Sequence, residues 1–254
     1  MCRHLGYLGR PRSLDALLRA PAHSLEVQSY APKEMETALL NADGFGVAWY
    51  VEGHAEPARY RSPLPMWADE NLPELAPRLA TRCLIANARS ATPGLGMGIA
   101  NTPPFTHGPW TFSHNGFVAS FRDGPMRALR RDLSDAAYGA IRGAGTDSEH
   151  LFAVFLDALA GGSDPLDALR AVVAKVDAIA PARKALLSLV ATDGAAIYAL
   201  RHALRGDAPT LYLHRAEGDA WLASEPPFEA PWEPIAPGTL LRLDAGGAHR
   251  EPLA

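Results

Sequence analysis

Two helix-forming stretches stand back to back in the middle of the chain, with strand-like runs before and after them. Thr146-Asp-Ser-Glu149 has the pattern of a capping box, a Thr hydroxyl followed three residues later by Glu. Behind it Leu151, Phe152, Phe155, Leu156 and Leu159 share one helical face, and Gly161-Gly162 ends the run. A second helix is predicted over Pro165 to Ala180. Five strand-like runs precede the pair: Cys2 to Leu8, Val47 to Val51, Ala58 to Arg61, Cys83 to Arg89 and Trp110 to His114. Five follow it: Ala185 to Thr192, Ala196 to Arg201, Thr210 to Arg215, Ala220 to Ala223 and Thr239 to Leu243. Strands, then helices, then strands predict an α+β layered fold rather than the alternating units of a parallel sheet.

Local signals fill in the rest. Ser13 is a candidate N-cap for a helix over Leu14 to Arg19, and Val27 to Pro32 reads as a loop. Ala58 to Arg61 is expected to pair with Val47 to Val51 as a hairpin across Gly53-His54. Leu72, Leu75 and Leu79 suggest a helix over Asn71 to Ala80. A Gly/Pro-rich loop is expected from Ser90 to Pro109, a length that is often functional. Asn115-Gly116 is a strong turn dipeptide, with Phe117 to Phe121 as the returning strand, and Pro125 to Tyr138 reads as helical. With no repeat or linker, residues 1–254 are read as a single domain.

Composition removes several function classes. The 254 residues are 48% hydrophobic and carry a formal charge of −4 with no basic block, which argues against nucleic acid. Two cysteines, Cys2 and Cys83, make a disulfide scaffold unlikely for so long a chain. Arg3, His4, Arg10 and Arg12 interrupt any signal-peptide core, and no stretch approaches about 18 apolar residues, so no membrane segment is expected. The nine histidines are scattered without zinc-site spacing. The expectation is a cytoplasmic protein with no metal, no cofactor and no indicated oligomer.

Cys2 follows the initiator Met. Removal of Met before a small residue would leave a thiol and a free α-amine on one residue. An α-amine titrates at about 7.7–8.0, so it can act as a base. Nucleophile and base together are the parts of an N-terminal-nucleophile enzyme. The competing reading makes Cys2 one more buried strand residue. Cys83, inside an apolar run, reads as a buried hydrophobe. Arg89, at a strand end, suits bidentate capture of a carboxylate, or a surface ion pair. Asn115 and Gly116, if not merely a turn, offer a side-chain amide and a backbone N–H to a developing oxyanion. Asp147, at a helix start, is placed by the dipole, or holds a substrate ammonium.

The stretches Met1-Cys-Arg-His-Leu-Gly6, Asn41-Ala-Asp-Gly-Phe-Gly46, Ala88-Arg-Ser-Ala-Thr92, Ser113-His-Asn-Gly116 and Thr146-Asp-Ser-Glu149 together resemble the class II glutamine amidotransferases of the N-terminal-nucleophile superfamily. Ala223-Ser-Glu-Pro226 is similar to that family's late strand. The resemblance implies a four-layer αββα sandwich, with Cys2 as nucleophile and its α-amine as base. It implies that Arg89 binds the α-carboxylate of a small-molecule γ-glutamyl substrate, with Thr92 nearby. It implies that Asn115 and Gly116 form the oxyanion pair and that Asp147 holds the α-amino group. Ser90 and Pro93 depart from the family pattern, where an aromatic residue and a histidine are common. Met1 to Gly9, Pro11 to Leu14, Val27 to Pro32, Trp67 and Ser224 to Pro226 look like the ergothioneine-biosynthesis branch, which releases glutamate from γ-glutamyl-hercynylcysteine sulfoxide. The strands after Ala185 are expected to complete the same sandwich, leaving nothing for a synthase. A glutaminase subunit feeding ammonia to a separate synthase is the alternative enzyme, and a sensor of γ-glutamyl compounds the non-enzymatic one.

Overall fold

The structure, a computed structural model, describes residues 1–35, 39–91, 98–143 and 145–254. Strand β1 (Arg3–Ser13) runs past the expected end at Leu8, because a register shift between Leu8 and Arg12 lets it continue beside its neighbour. Ser13 Oγ then accepts from Ala16 N and starts α1 (Leu14–Leu18). The stretch read as a loop from Val27 is instead mostly helix: Ser24 caps α2 (Leu25–Tyr30) by accepting from Val27 N. The capping Ser24 lies ahead of Val27, so the helix begins before the loop-like residues. β2 (Phe45–Trp49) and β3 (Ala58–Ser62) form the expected hairpin. The helix expected over Asn71 to Ala80 shrinks to α3 (Leu72–Leu75). Pro77 cannot donate to a continuing helix, and the chain turns into β4 (Ala80–Ala88) instead.

Within the expected Gly/Pro loop lies a short strand, β5 (Phe105–His107), paired with β6 (Trp110–Val118). The turn at Asn115-Gly116 is not there. β6 runs through it, and Asn115 and Gly116 face Ser188 and Leu187 across the ladder. A Cβ on residue 116 would lie 1.8 Å from the Leu186 carbonyl oxygen, so the glycine serves a close approach rather than a reversal. The single helix expected over Pro125 to Tyr138 is two, α4 (Pro125–Arg131) and α5 (Asp135–Gly139), the second capped afresh by Ser134 Oγ on Ala137 N. α6 (Asp147–Ala160) and α7 (Pro165–Ile179) follow as predicted, with Thr146 Oγ accepting from Glu149 N. The strands β7 (Ala185–Thr192), β8 (Ile197–Leu204), β9 (Tyr212–Ala216), β10 (Asp219–Ala223), β11 (Glu233–Pro234), β12 (Thr239–Asp244) and β13 (Gly247–Pro252) complete the fold.

These strands make two antiparallel sheets, ordered β11-β9-β10-β1-β4-β2-β3 and β13-β12-β8-β7-β6-β5. Three apolar cores separate four layers. Leu14, Leu17 and Leu25 pack on Leu5, Tyr7, Val47 and Leu84 at the outer face of the first sheet. Phe152, Phe155, Leu169 and Val172 pack on Phe112, Leu187 and Leu189 at the outer face of the second. Cys83, Ile85 and Leu222 meet Val190, Ile197 and Leu241 between the sheets. The αββα sandwich is therefore built as expected.

Alternation along each strand then places the polar residues. Leu5 and Tyr7 of β1 belong to the outer core, so Cys2, His4 and Gly6 face the gap between the sheets. Cys83 and Ile85 of β4 face the same gap, and Asn87 follows two residues on. The gap is thus apolar toward one end and polar at the other. There His4 lies 3.3 Å from Ser113 Oγ and 3.2 Å from Ser188 Oγ, and Asn87 donates 3.0 Å to Ser113 Oγ. Cys83 belongs to the apolar part, where burial pushes its thiol up to about 12.

Candidate active site

Cys2 stands at the start of the central strand of a seven-stranded sheet. Both flanks hold that end. Arg3 pairs with Ala88 of β4, while His4 N donates 3.0 Å to Ser224 Oγ and Ser224 N returns 3.0 Å to the His4 carbonyl. The Cys2 side chain is nearly buried, and its sulfur points to the Ser90 carbonyl at 3.7 Å. A narrow cleft opens at this point, lined by Cys2, Arg89, Ala91, Gly116, Asp147 and Ser148 among others. Four of the residues singled out in the sequence meet here, from the start of β1, the end of β4, β6 and the first turn of α6. A larger cavity lies elsewhere, lined by Arg10, Arg82, Arg215 and Asp219, and contains none of them.

Arg89 is buried at the end of β4 and braced by the loop before β2. Its N–H donates 2.8 Å to the Gly44 carbonyl, its carbonyl accepts 3.0 Å from Asp43 N, and Nη1 reaches the Asp43 carbonyl at 3.4 Å. Asp43 Oδ2 accepts 2.7 Å from Ala91 N. Sequence reading passed over Asp43 as a brace, since nothing local links it to a strand end 46 residues away.

Asp147 is held at the first turn of α6. Oδ2 accepts 2.8 Å from Val118 N at the end of β6, and Oδ1 accepts 2.8 Å from Ser148 N. Beside it, His114 Nε2 lies 2.8 Å from the Leu186 carbonyl, which only accepts, so this nitrogen carries a proton. His114 Nδ1 lies 3.0 Å from Ser148 Oγ. Neither His114 nor Ser148 carried a sequence signal of its own, because their pairing depends on α6 lying across β6.

Asn115 is fully buried, and among the described residues neither its Nδ2 nor its Oδ1 has a hydrogen-bond partner. A buried amide with no partner costs about 1–3 kcal/mol for each group left unmade. Both atoms lie on the strand face that carries Ser113 toward Asn87 and His4. Thr92 lies outside the described residues.

His4 stays neutral in this setting. Burial pushes it down to about 3, and the nearby charges of Arg3 and His114 act in the same direction. Burial likewise lowers the amino group at Met1; the Cys2 thiol opposes this and Arg3 adds to it.

A family model described as "Glutamine amidotransferases class-II" matches residues 19–216. The chain is 38% identical over 226 residues to the γ-glutamyl-hercynylcysteine sulfoxide hydrolase of Mycobacterium tuberculosis, covering 89% of this chain and 85% of that one. It is 37% identical over 251 residues to the protein of the same name from Mycolicibacterium smegmatis, covering 98% and 97%. Among solved structures, a glutamine aminotransferase class-II domain protein from Silicibacter pomeroyi superposes with a TM-score of 0.76, at 27% identity and full coverage of both chains.

Proposed function

The chain belongs to the class-II glutamine amidotransferases, and from that premise we propose that it is an amidohydrolase that releases glutamate from γ-glutamyl-hercynylcysteine sulfoxide through a Cys2 thioester. The observation that carries this reading is the meeting of Cys2, Arg89, Gly116 and Asp147 in one cleft. Arg89 and Asp147 supply the two charges that an α-amino acid headgroup needs, a guanidinium for its carboxylate and a carboxylate for its ammonium. The γ-carbonyl then comes to rest near Cys2, held by contacts that do not change during the reaction.

The chemistry has two halves. The Cys2 thiolate adds to the γ-carbon, a C–S bond forms, and the carbonyl electron pair moves onto oxygen. Asn115 Nδ2 and the Gly116 N–H receive that oxyanion, and such donors supply about 2.7–4 kcal/mol each in comparable sites. The Asn115 amide, without a partner among the described residues, suits this role, because it spends no hydrogen bond to them when the oxyanion appears. On collapse the C–N bond breaks, and the departing nitrogen takes a proton from the Cys2 α-ammonium. Water then gives a proton to the α-amine as its oxygen adds to the thioester carbon. The C–S bond breaks, glutamate leaves and the thiol is restored.

The α-amine is available only once Met1 is gone, because the Met1–Cys2 amide nitrogen is no base. The active species is therefore the processed chain. The substrate assignment rests on the two mycobacterial relatives named above, which resemble this chain over most of their lengths. The test is glutamate release from a panel of γ-glutamyl conjugates and free glutamine, with Cys2→Ala as control. Loss of release in the variant, with the conjugate preferred by kcat/KM, is expected. Wild-type rates in Cys2→Ala would overturn the mechanism. A higher kcat/KM on free glutamine would make the protein an ammonia-supplying glutaminase.

A further inference from the structure

On the face of β1 opposite the cleft lies a buried ion pair that the chemistry above does not use. Arg3 is wholly buried and Glu225 is 1% exposed, with Arg3 Nη1 donating 2.6 Å to Glu225 Oε1. The same guanidinium turns back on the residue before it: Arg3 Nε donates 2.8 Å to the Cys2 carbonyl. Arg3 thus bridges the main chain of the nucleophile residue and a carboxylate 222 residues away.

Glu225 is itself held from several sides. It accepts from His23 Nε2 at 2.8 Å, from Lys33 N at 2.9 Å and from Glu34 N at 3.0 Å. Burial pushes this carboxyl up, but the Lys33 N–H, His23, Arg3 and the Glu34 N–H outweigh it, so it lies below its ordinary value and stays charged. Gln28 Nε2 fixes the main chain at the same place, donating 3.1 Å to the Glu225 carbonyl and 2.8 Å to that of His23. Lys33 and Glu34 belong to the stretch between α2 and β2. Farther along that stretch Asp43 braces Arg89 and Ala91.

A buried ion pair is weak evidence for stability, since desolvation offsets much of its attraction. Its position next to Cys2 is what gives this one a use. We propose that Glu225, acting through Arg3, is a positioning residue for Cys2: the pair fixes the main chain at Cys2 and so aims the thiol and the α-amine into the cleft. The proposal rests on Cys2 being the nucleophile.

The test uses the processed full-length protein and three variants, Glu225→Gln, Glu225→Asp and Arg3→Lys. Two readouts are needed: kcat and KM for glutamate release, and the rate of Cys2 alkylation by iodoacetamide located by peptide mass. Displacing a reacting group by about 1 Å costs about 100-fold in rate, so Glu225→Gln is expected to lower kcat by about that factor with KM within about threefold. Cys2 alkylation is expected to slow alongside, and Glu225→Asp, which restores the charge, to recover about tenfold of the loss. Arg3→Lys keeps a cation for Glu225 but loses the Nε donor to the Cys2 carbonyl, and is expected to lower kcat about tenfold with KM unchanged. A folded Glu225→Gln with kcat within about twofold of wild type, or a change confined to KM, would overturn the proposal. Should Glu225→Gln fail to fold, Arg3→Lys is judged by the same two criteria. Should the wild-type protein release no glutamate from the conjugate, the functional reading fails instead, and the alkylation rates alone decide the positioning role.

Discussion

Val118 N donates 2.8 Å to Asp147 Oδ2, which locks the end of β6 to the first residue of α6. The carboxylate proposed to hold the substrate ammonium is therefore also the clasp between strand and helix. Asp147→Asn keeps one acceptor oxygen but loses the charge. A hydrogen bond to a charged group is worth about 1.5–3 kcal/mol, so kcat/KM for glutamate release is expected to fall about 10- to 100-fold, mainly through KM. Steady-state kinetics check this, and an unchanged KM would exclude Asp147 from substrate binding.

Asn115→Leu is expected to move stability and activity in opposite directions. It removes two buried polar atoms that have no partner among the described residues, so the free protein should melt at the same temperature or higher. Loss of the proposed oxyanion donor should lower kcat about 100- to 1,000-fold. Thermal melts and kcat on the same preparation test both halves, and a large drop in melting temperature would mean that the amide has structural partners.

Gly116→Ala is expected to fail through packing. The added methyl would sit 1.8 Å from the Leu186 carbonyl oxygen and 2.7 Å from His114 Nε2, so main chain must move. A cost of about 3 kcal/mol or more is anticipated, seen as a lowered denaturant midpoint. A midpoint equal to wild type would show that β6 and β7 can part there without penalty.

Acid should unfold the protein partly through two histidines. Burial holds His4 at about 3 and His150 at about 4, against about 6.5 in an unfolded chain. Between these values the unfolded chain binds more protons than the native one, so stability falls as pH falls from about 6.5. Each histidine adds a slope of up to about 1.4 kcal/mol per pH unit. Above that range both states hold neutral histidines and the contribution vanishes. Denaturant midpoints at several pH values should give a shallower slope for His4→Gln than for wild type, and equal slopes would count against a neutral buried His4.

Much of this fold is written in local patterns. Ser13 and Thr146 cap the helices that their sequences announce, and β7 occupies the predicted residues. Local patterns failed where the cause is distant. Asn115-Gly116 has the composition of a turn, yet its glycine answers to the Leu186 carbonyl on the neighbouring strand. Arg89 and Asp147 were visible as charges at element ends, but Asp43 and Ser148 gain meaning only from what packs against them. Arg3 and Glu225 each lie in a stretch that resembles the family, but their pairing was not legible, since they stand 222 residues apart.

The pairing of His4 with Ser224 has a consequence for the order of events during synthesis. Cys2, Arg89, Gly116 and Asp147 are all in the chain by residue 147, but the segment that fixes one flank of β1 arrives only near residue 224, some 220 residues after His4. Contacts of such separation form late, because loop closure must precede them. β1 can pair with β4 as soon as residue 88 is made, but its other edge stays open until β10 follows. The strand that leads from Cys2 is thus closed on one side by an early partner and on the other by one of the last strands of its sheet.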